Sequence, residues 1–181
     1  MFSDGVFAIV ITILVLELRP PESPTFSDLL SLWPTGLSYA VSYLFLAIVW
    51  VNHHHVLRYA EAATPRLIWA NFAHLFAISL IPFSMAWIAN SHFAAIPVAV
   101  YAAVFVLVNV TYIACWEVVD RPSIADVSRR ARRTMRIRSF LTLALFAAAA
   151  VVALKSPMGG LALICCCLIL YLRPEAPLAT A

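Results

Sequence analysis

The amino-acid sequence predicts an all-α integral membrane protein, and three observations carry that expectation. Hydrophobic residues make up 64% of the 181 residues and charged residues only 12%, against about a quarter charged in soluble domains. The apolar runs are long and lack the two-residue alternation of a barrel strand, so helices, which satisfy their own backbone hydrogen bonds, are the way this chain crosses a bilayer. The basic residues are unevenly shared between the connections, as in a chain threaded through a membrane with a fixed orientation.

Six transmembrane helices are expected, at about 2–18, 32–57, 67–89, 94–116, 140–154 and 158–172, judged against the roughly 20 residues that a hydrocarbon core requires. The first, fifth and sixth are short for a full crossing. The second is long and carries Pro34 and Gly36 near its start, so it is expected to begin in the interface. No internal repeat divides the chain, and residues 1–181 read as a single six-helix domain. The first span has no basic n-region of the kind that opens a secretory signal. The tail after Leu172, with Pro174 and Pro177, reads as disordered.

The long connection Glu117–Ser139 carries Arg121, Arg129, Arg130, Arg132, Arg133, Arg136 and Arg138. Arg58, Arg66 and Arg173 fall on the same side of the six spans, whereas Arg19 and Lys155 fall on the other. An excess of Lys and Arg marks the cytoplasmic side, so both termini are expected to be cytoplasmic. The arginine run also admits a reading as an anionic-lipid or nucleic-acid patch. Aromatic residues are absent from its core, and no nucleic-acid partner is expected. Cys115 and the triplet Cys165, Cys166 and Cys167 lie inside apolar runs. Consecutive helical residues point about 100° apart, so the triplet reads as small packing residues rather than a metal site.

The most informative stretch is the first span. Phe2-Ser3-Asp4-Gly5 leads straight into Val6–Leu16, interrupted only by Thr12. An ionisable residue at the mouth of a membrane helix is costly unless it has a role. Helix capping supplies one such role, since Ser and Asp satisfy free N–H groups and meet the positive end of the dipole. Phe26-Ser27-Asp28 repeats the tripeptide before the second span, and there capping suffices. Ile9, Ile13 and Leu16 follow i, i+4, i+7 spacing and share one stripe. From the residues alone that stripe reads as ordinary packing, and Glu17 as an interfacial charge beside Arg19.

Together these residues resemble the transmembrane protein 175 family, lysosomal potassium channels in animals with smaller prokaryotic relatives, whose hallmark is Arg-x-x-x-Phe-Ser-Asp on the first helix. The hallmark arginine would fall upstream of Met1, outside this sequence. Trp50-Val51-Asn52-His53-His54 is similar to the family's Trp-x-x-His-His pattern, and Asn71 and Ile81-Pro82-Phe83 in the third span also match. The resemblance implies a homotetramer, in a prokaryotic plasma membrane, whose first helices line a central potassium pore. It places Ile9, Ile13 and Leu16 at the constriction, with Thr12 and Glu17 as pore-adjacent polar groups. It implies a supporting network of Trp50, His53 or His54, and Asn71, reaching Ser3 and Asp4 behind the first helix. The expected partners are potassium ions, the lipid bilayer and further copies of the chain.

Other functions remain open at this level. His53, His54 and His55, with His74 on the next span, admit a metal site, but adjacent helical residues diverge and no carboxylate or cysteine supports them. Solvated interfacial histidines are a further reading. No nucleophile–base pair, phosphate loop or carboxylate pair occurs within the spans, so no catalysis and no cofactor are expected. A less selective cation or proton channel, or a small-solute transporter, is the alternative to a potassium channel.

Overall fold

The computed structural model describes residues 2–60, 62–119 and 129–171. Among these, the helices run in the order α1 Phe2–Leu16, α2 Phe26–Ser31, α3 Trp33–Arg58, α4 Pro65–Ser79, α5 Ile81–Asn90, α6 Ala95–Val119, α7 Arg129–Ala153 and α8 Pro157–Tyr171. Local chemistry fixes most of the starts. Thr25 caps α2 by accepting from the Asp28 N–H at 3.2 Å, and Thr64 caps α4 by accepting from Leu67 at 3.3 Å. Ser156 does the same for α8, accepting from Gly159 at 3.3 Å. Pro34, Pro65 and Pro82 each sit in a first turn, where a missing N–H costs nothing. The second Phe-Ser-Asp copy therefore opens a short helix capped by Thr25 rather than by its own Ser or Asp, and Asp28 is tied to Ser23.

The expectation of six full crossings does not hold. Among the described residues, four helical stretches are long and apolar enough to span a bilayer: Trp33–Arg58, Pro65–Asn90, Ala95–Val119 and Arg133–Ala153. Helices α1 and α8 contain 15 residues each, about 22 Å at 1.5 Å per residue, against a hydrocarbon thickness of about 30 Å. The derivation of two cytoplasmic termini from six full crossings falls with that count. The span expected at 140–154 is longer than its apolar run suggests, because the helix continues back through the arginines to Arg129. Long basic side chains can run along the helix toward water while the backbone stays in register. The connection 117–139 is correspondingly shorter than expected. Glu61, residues 120–128 and the tail from Leu172 lie outside the described residues, as do the side chains of Arg129, Arg130 and Arg132.

The third crossing is broken. Pro82 has no N–H to return to the Ile78 carbonyl, and the chain divides into α4 and α5 around Leu80, whose own N–H bonds three residues back to Ala77 at 3.3 Å. After α5 the chain reverses through His92 and Phe93, both left-handed with φ of 51° and 60°. This is a strained choice for side-chain-bearing residues. Phe93 is buried there against Trp33, with ring centroids 5.2 Å apart.

Helix α6 is central, packing on α3, α4, α5, α7 and α8, while α1 lies against α3, α4 and α5. The core is aromatic at its middle. Phe45 and Phe105 stack at 3.6 Å, Phe146 meets both edge-on, and the buried Tyr101 hydroxyl bonds Ser42 at 2.7 Å. Helices α7 and α8 approach closely because Gly160 has no side chain: a Cβ there would lie 2.7 Å from Ala153 Cβ and 2.9 Å from the Ala149 carbonyl oxygen. Small residues permit such backbone approach between membrane helices. Gly160→Ala should therefore destabilise the protein by about 1–3 kcal/mol through overpacking. Gly36→Ala, where nothing lies within 4 Å, should leave the thermal midpoint in detergent unchanged or raised; equal midpoints for the two variants would refute the close approach.

Candidate functional site

Helix α1 begins with polar groups, and the bundle meets them with polar groups. Ser3 is buried, and Asn71 of α4 donates through Nδ2 to Ser3 Oγ at 3.1 Å. On its other side Asn71 Oδ1 lies 2.7 Å from His53 Nε2, on α3. An amide oxygen only accepts, so in this arrangement His53 donates from Nε2. Three helices are joined through one asparagine. Beside this chain, Trp50 Nε1 donates to Asp4 Oδ1 at 3.1 Å. One turn further along α1, Phe7 packs on the His53 ring at 5.6 Å.

Behind His53 lies a second histidine. The rings of His53 and His74 stack at 5.3 Å with planes 16° apart, and His74 is fully buried. Its Nδ1 meets Thr111 Oγ1 of α6 at 3.0 Å. The Thr111 hydroxyl reaches the carbonyls of Leu107 and Val108, both at 2.9 Å, so His74 is the donor to Thr111. Its Nε2 is then a bare acceptor, buried without a partner. Stacked parallel rings do not converge on a common point, which disfavours a metal between His53 and His74. Among the described residues, no group of three or more His, Cys, Asp and Glu side chains is placed to hold a metal.

The remaining residues singled out in the sequence take distinct positions. His54 is exposed and stacks on Trp50 at 5.5 Å, while His55 is exposed; the hydrogen-bonded histidine is His53. Phe2 is exposed and meets Phe72 edge-on at 5.7 Å. Gly5 faces open space. Ser3, Phe7, Val10 and Leu14 form the buried face of α1. Ile9, Ile13 and Leu16 lie on the outward face at 60%, 41% and 74% exposure. Thr12 is exposed there, its hydroxyl donating to the Ile9 carbonyl at 2.7 Å. Glu17 is half-buried in the turn that ends the helix. The contacts of Phe7 and Thr111 were not among the expected ones; only the i, i+3 spacing of Asn71 and His74 hinted that α4 turns a second polar group inward.

The fold and this site define a multi-pass helical membrane protein whose first, short helix is pinned to the bundle by buried polar side chains. Residues 1–82, which contain every one of the pinning groups except Thr111, match the family model described as the endosomal/lysosomal potassium channel TMEM175. Over this first part the chain is similar to the TMEM175 family, and among the described residues four helical stretches are long and apolar enough to cross a membrane. It is 41% identical over 111 residues to a potassium channel of Chryseobacterium sp. strain P1-3, covering 61% of this chain and 58% of that protein. It is 36% identical over 126 residues to a potassium channel of Streptomyces collinus, covering 64% and 60%. It is 33% identical over 125 residues to one of Chamaesiphon minutus, covering 64% and 62%. The chain thus spans about 60% of the length of the curated relatives it matches. Its fold superimposes on the crystal structure of a lysosomal potassium-selective channel TMEM175 homolog from Chamaesiphon minutus with a TM-score of 0.85 and 27% identity, covering 97% of this chain and 95% of that one.

Removing Asn71 strands a donor on His53 and the buried Ser3 hydroxyl at once. Asn71→Leu should therefore cost about 1–3 kcal/mol in detergent unfolding. Trp50→Phe, at a 41% exposed position, should cost clearly less. A Trp50 variant as damaging as the Asn71 variant would show that the buried chain is not the principal tie.

Proposed function

We propose that this chain is the subunit of a potassium-permeable channel, with four copies assembled around a common axis and α1 of each subunit facing that axis. The observation that carries the reading is the rotation of α1. Its polar start and its Phe7, Val10 and Leu14 are held against the bundle, so Ile9, Ile13 and Leu16 form one outward stripe. In a tetramer that stripe makes three stacked apolar rings, about 10 Å from first to last at 1.5 Å per residue. An apolar ring gates by dewetting, because an ion passing it must keep or replace its water. Potassium holds its hydration shell less tightly than sodium, so a narrow neck favours it without a carbonyl filter.

Two further groups fit the same axis. The Thr12 hydrogen is committed to the Ile9 carbonyl, which leaves the hydroxyl oxygen as an acceptor next to the neck. Glu17, beyond the last turn, supplies a ring of negative charge that concentrates cations at the mouth. Self-association is supported by the apolar surface beside α1, where Phe2, Phe72, Phe76 and Phe83 are all exposed. The curated relatives are themselves named potassium channels, which supports potassium as the permeant ion.

In proteoliposomes under a potassium/sodium gradient, the reversal potential should lie toward the potassium equilibrium value. A reversal potential near zero would favour the less selective cation channel instead. Ile9→Asn should change potassium flux several-fold by wetting the neck, and unchanged flux would remove Ile9 from the pore. Native mass spectrometry should give four chains per particle.

A further inference from the structure

The bundle carries a second, smaller core at the end where α3 meets α4 and α6 meets α7, built from Val56, Leu67, Cys115, Trp116 and Val119. Beside it a cleft of about 20 Å³ opens between α6 and α7, lined by Trp116, Glu117, Arg136 and Ser139 among others. Trp116 is 7% exposed, and its indole N–H is buried with no hydrogen-bond partner. That nitrogen can only donate, and an unpaired buried donor is costly enough to require an explanation. Ser139 adds a hydroxyl to the same cleft. At its rim, Arg136 Nη2 lies 3.5 Å from Glu117 Oε1, with the two side chains 56% and 48% exposed. Arg58, Arg66 and Arg133 are exposed at the same end of the bundle. One turn beyond Arg133 and Arg136, α7 turns apolar: Ile137, Phe140 and Leu141 are more than half exposed, at 55%, 51% and 58%.

We propose that this cleft binds the phosphate of an anionic phospholipid. A cavity of this size admits a single oxygen-sized group, and one phosphate oxygen entering it accepts from the Trp116 N–H and the Ser139 hydroxyl. Arg136 pairs with the phosphate from the rim, where a guanidinium offers a second N–H direction besides the one facing Glu117. The acyl chains then run over Ile137, Phe140 and Leu141. Charge selects this ligand over inorganic phosphate: a phosphodiester brings one negative charge beside Glu117, whereas inorganic phosphate brings nearly two. The clustered arginines draw the anionic leaflet to this end of the bundle. The site lies away from the outward stripe of α1 and does not rest on conduction.

The test compares thermal midpoints of the full chain in neutral detergent with added phosphatidylglycerol, phosphatidylcholine or inorganic phosphate, and counts retained lipid by native mass spectrometry. Phosphatidylglycerol should raise the midpoint by several degrees and leave one lipid per subunit, with no comparable shift from the other two. Trp116→Phe, which keeps the ring packing, and Arg136→Gln, at a half-exposed position, should each weaken phosphatidylglycerol binding about tenfold. Arg19→Gln, at an exposed position remote in sequence from the cleft, should not. An equal shift with phosphatidylcholine, a shift with inorganic phosphate alone, or unchanged binding in Arg136→Gln would overturn the proposal. Size-exclusion profiles matching the unmodified chain establish that Trp116→Phe and Arg136→Gln are folded.

Discussion

The hydrogen-bonded line from Ser3 through Asn71 to His53 decides how α1 is turned, and the reading of the rest of the structure depends on that. From Val6 to Leu16 the helix is apolar on every side except at Thr12. Inside a bilayer, lipid tails are as apolar as Leu, so the hydrophobic effect gives such a helix no preferred rotation. Van der Waals fit alone could seat Ile9, Ile13 and Leu16 inward as readily as Phe7, Val10 and Leu14. Ser3 and Asp4 break that degeneracy, because rotating either away from Asn71 and Trp50 into hydrocarbon would leave a polar group unpaired. Phe7 against His53 then extends the choice by one turn.

The same end of the molecule is polar for a second reason. The end of α3 and the starts of α4 and α7 carry the exposed Arg58, Arg66, Arg133 and Arg136, and the small core of Val56, Leu67, Cys115, Trp116 and Val119 lies at that same end. Buried polar groups near α1 satisfy one another across three helices, whereas those between α6 and α7 leave the Trp116 donor open. One arrangement is closed and serves position. The other is incomplete within the chain and, in the proposal above, is completed by a lipid phosphate. His74 stands between these cases, paired to Thr111 on one nitrogen and bare on the other.

Much of the architecture was legible because membrane helices write their length and polarity into the sequence directly. Long apolar runs and the proline near the start of the second span follow from backbone chemistry, whereas the third span, expected as one run at 67–89, divides at Pro82. The number of full crossings was not legible in the same way. Arginines excluded from an apolar run still belong to the helix α7, and two apolar runs of 15 residues fall short once their rise is counted. Within the site, Trp50, Asn71, Ser3 and Asp4 were found by pattern. His53 could not be separated from His54, because adjacent positions on a helix end differ only in which neighbour they meet. The His74–Thr111 pair was invisible, since it depends on the register of α4 against α6, which no local spacing records. Phe7 was hidden for a related reason: an aromatic in an apolar run announces burial but not its partner.

The shortness of α1 has an electrical consequence in the proposed channel. Its 15 residues cover about 22 Å of a hydrocarbon layer about 30 Å thick, so water must reach the two ends of the helix inside the plane of the membrane. A transmembrane potential falls mainly where water is absent. The full drop, about 2.3 kcal/mol per elementary charge at 100 mV, is thereby compressed onto the stretch that contains Ile9, Ile13 and Leu16. A cation would feel almost none of the applied voltage on approach and nearly all of it within two turns of helix. The apolar neck is then the place where the driving force and the barrier to ion passage coincide.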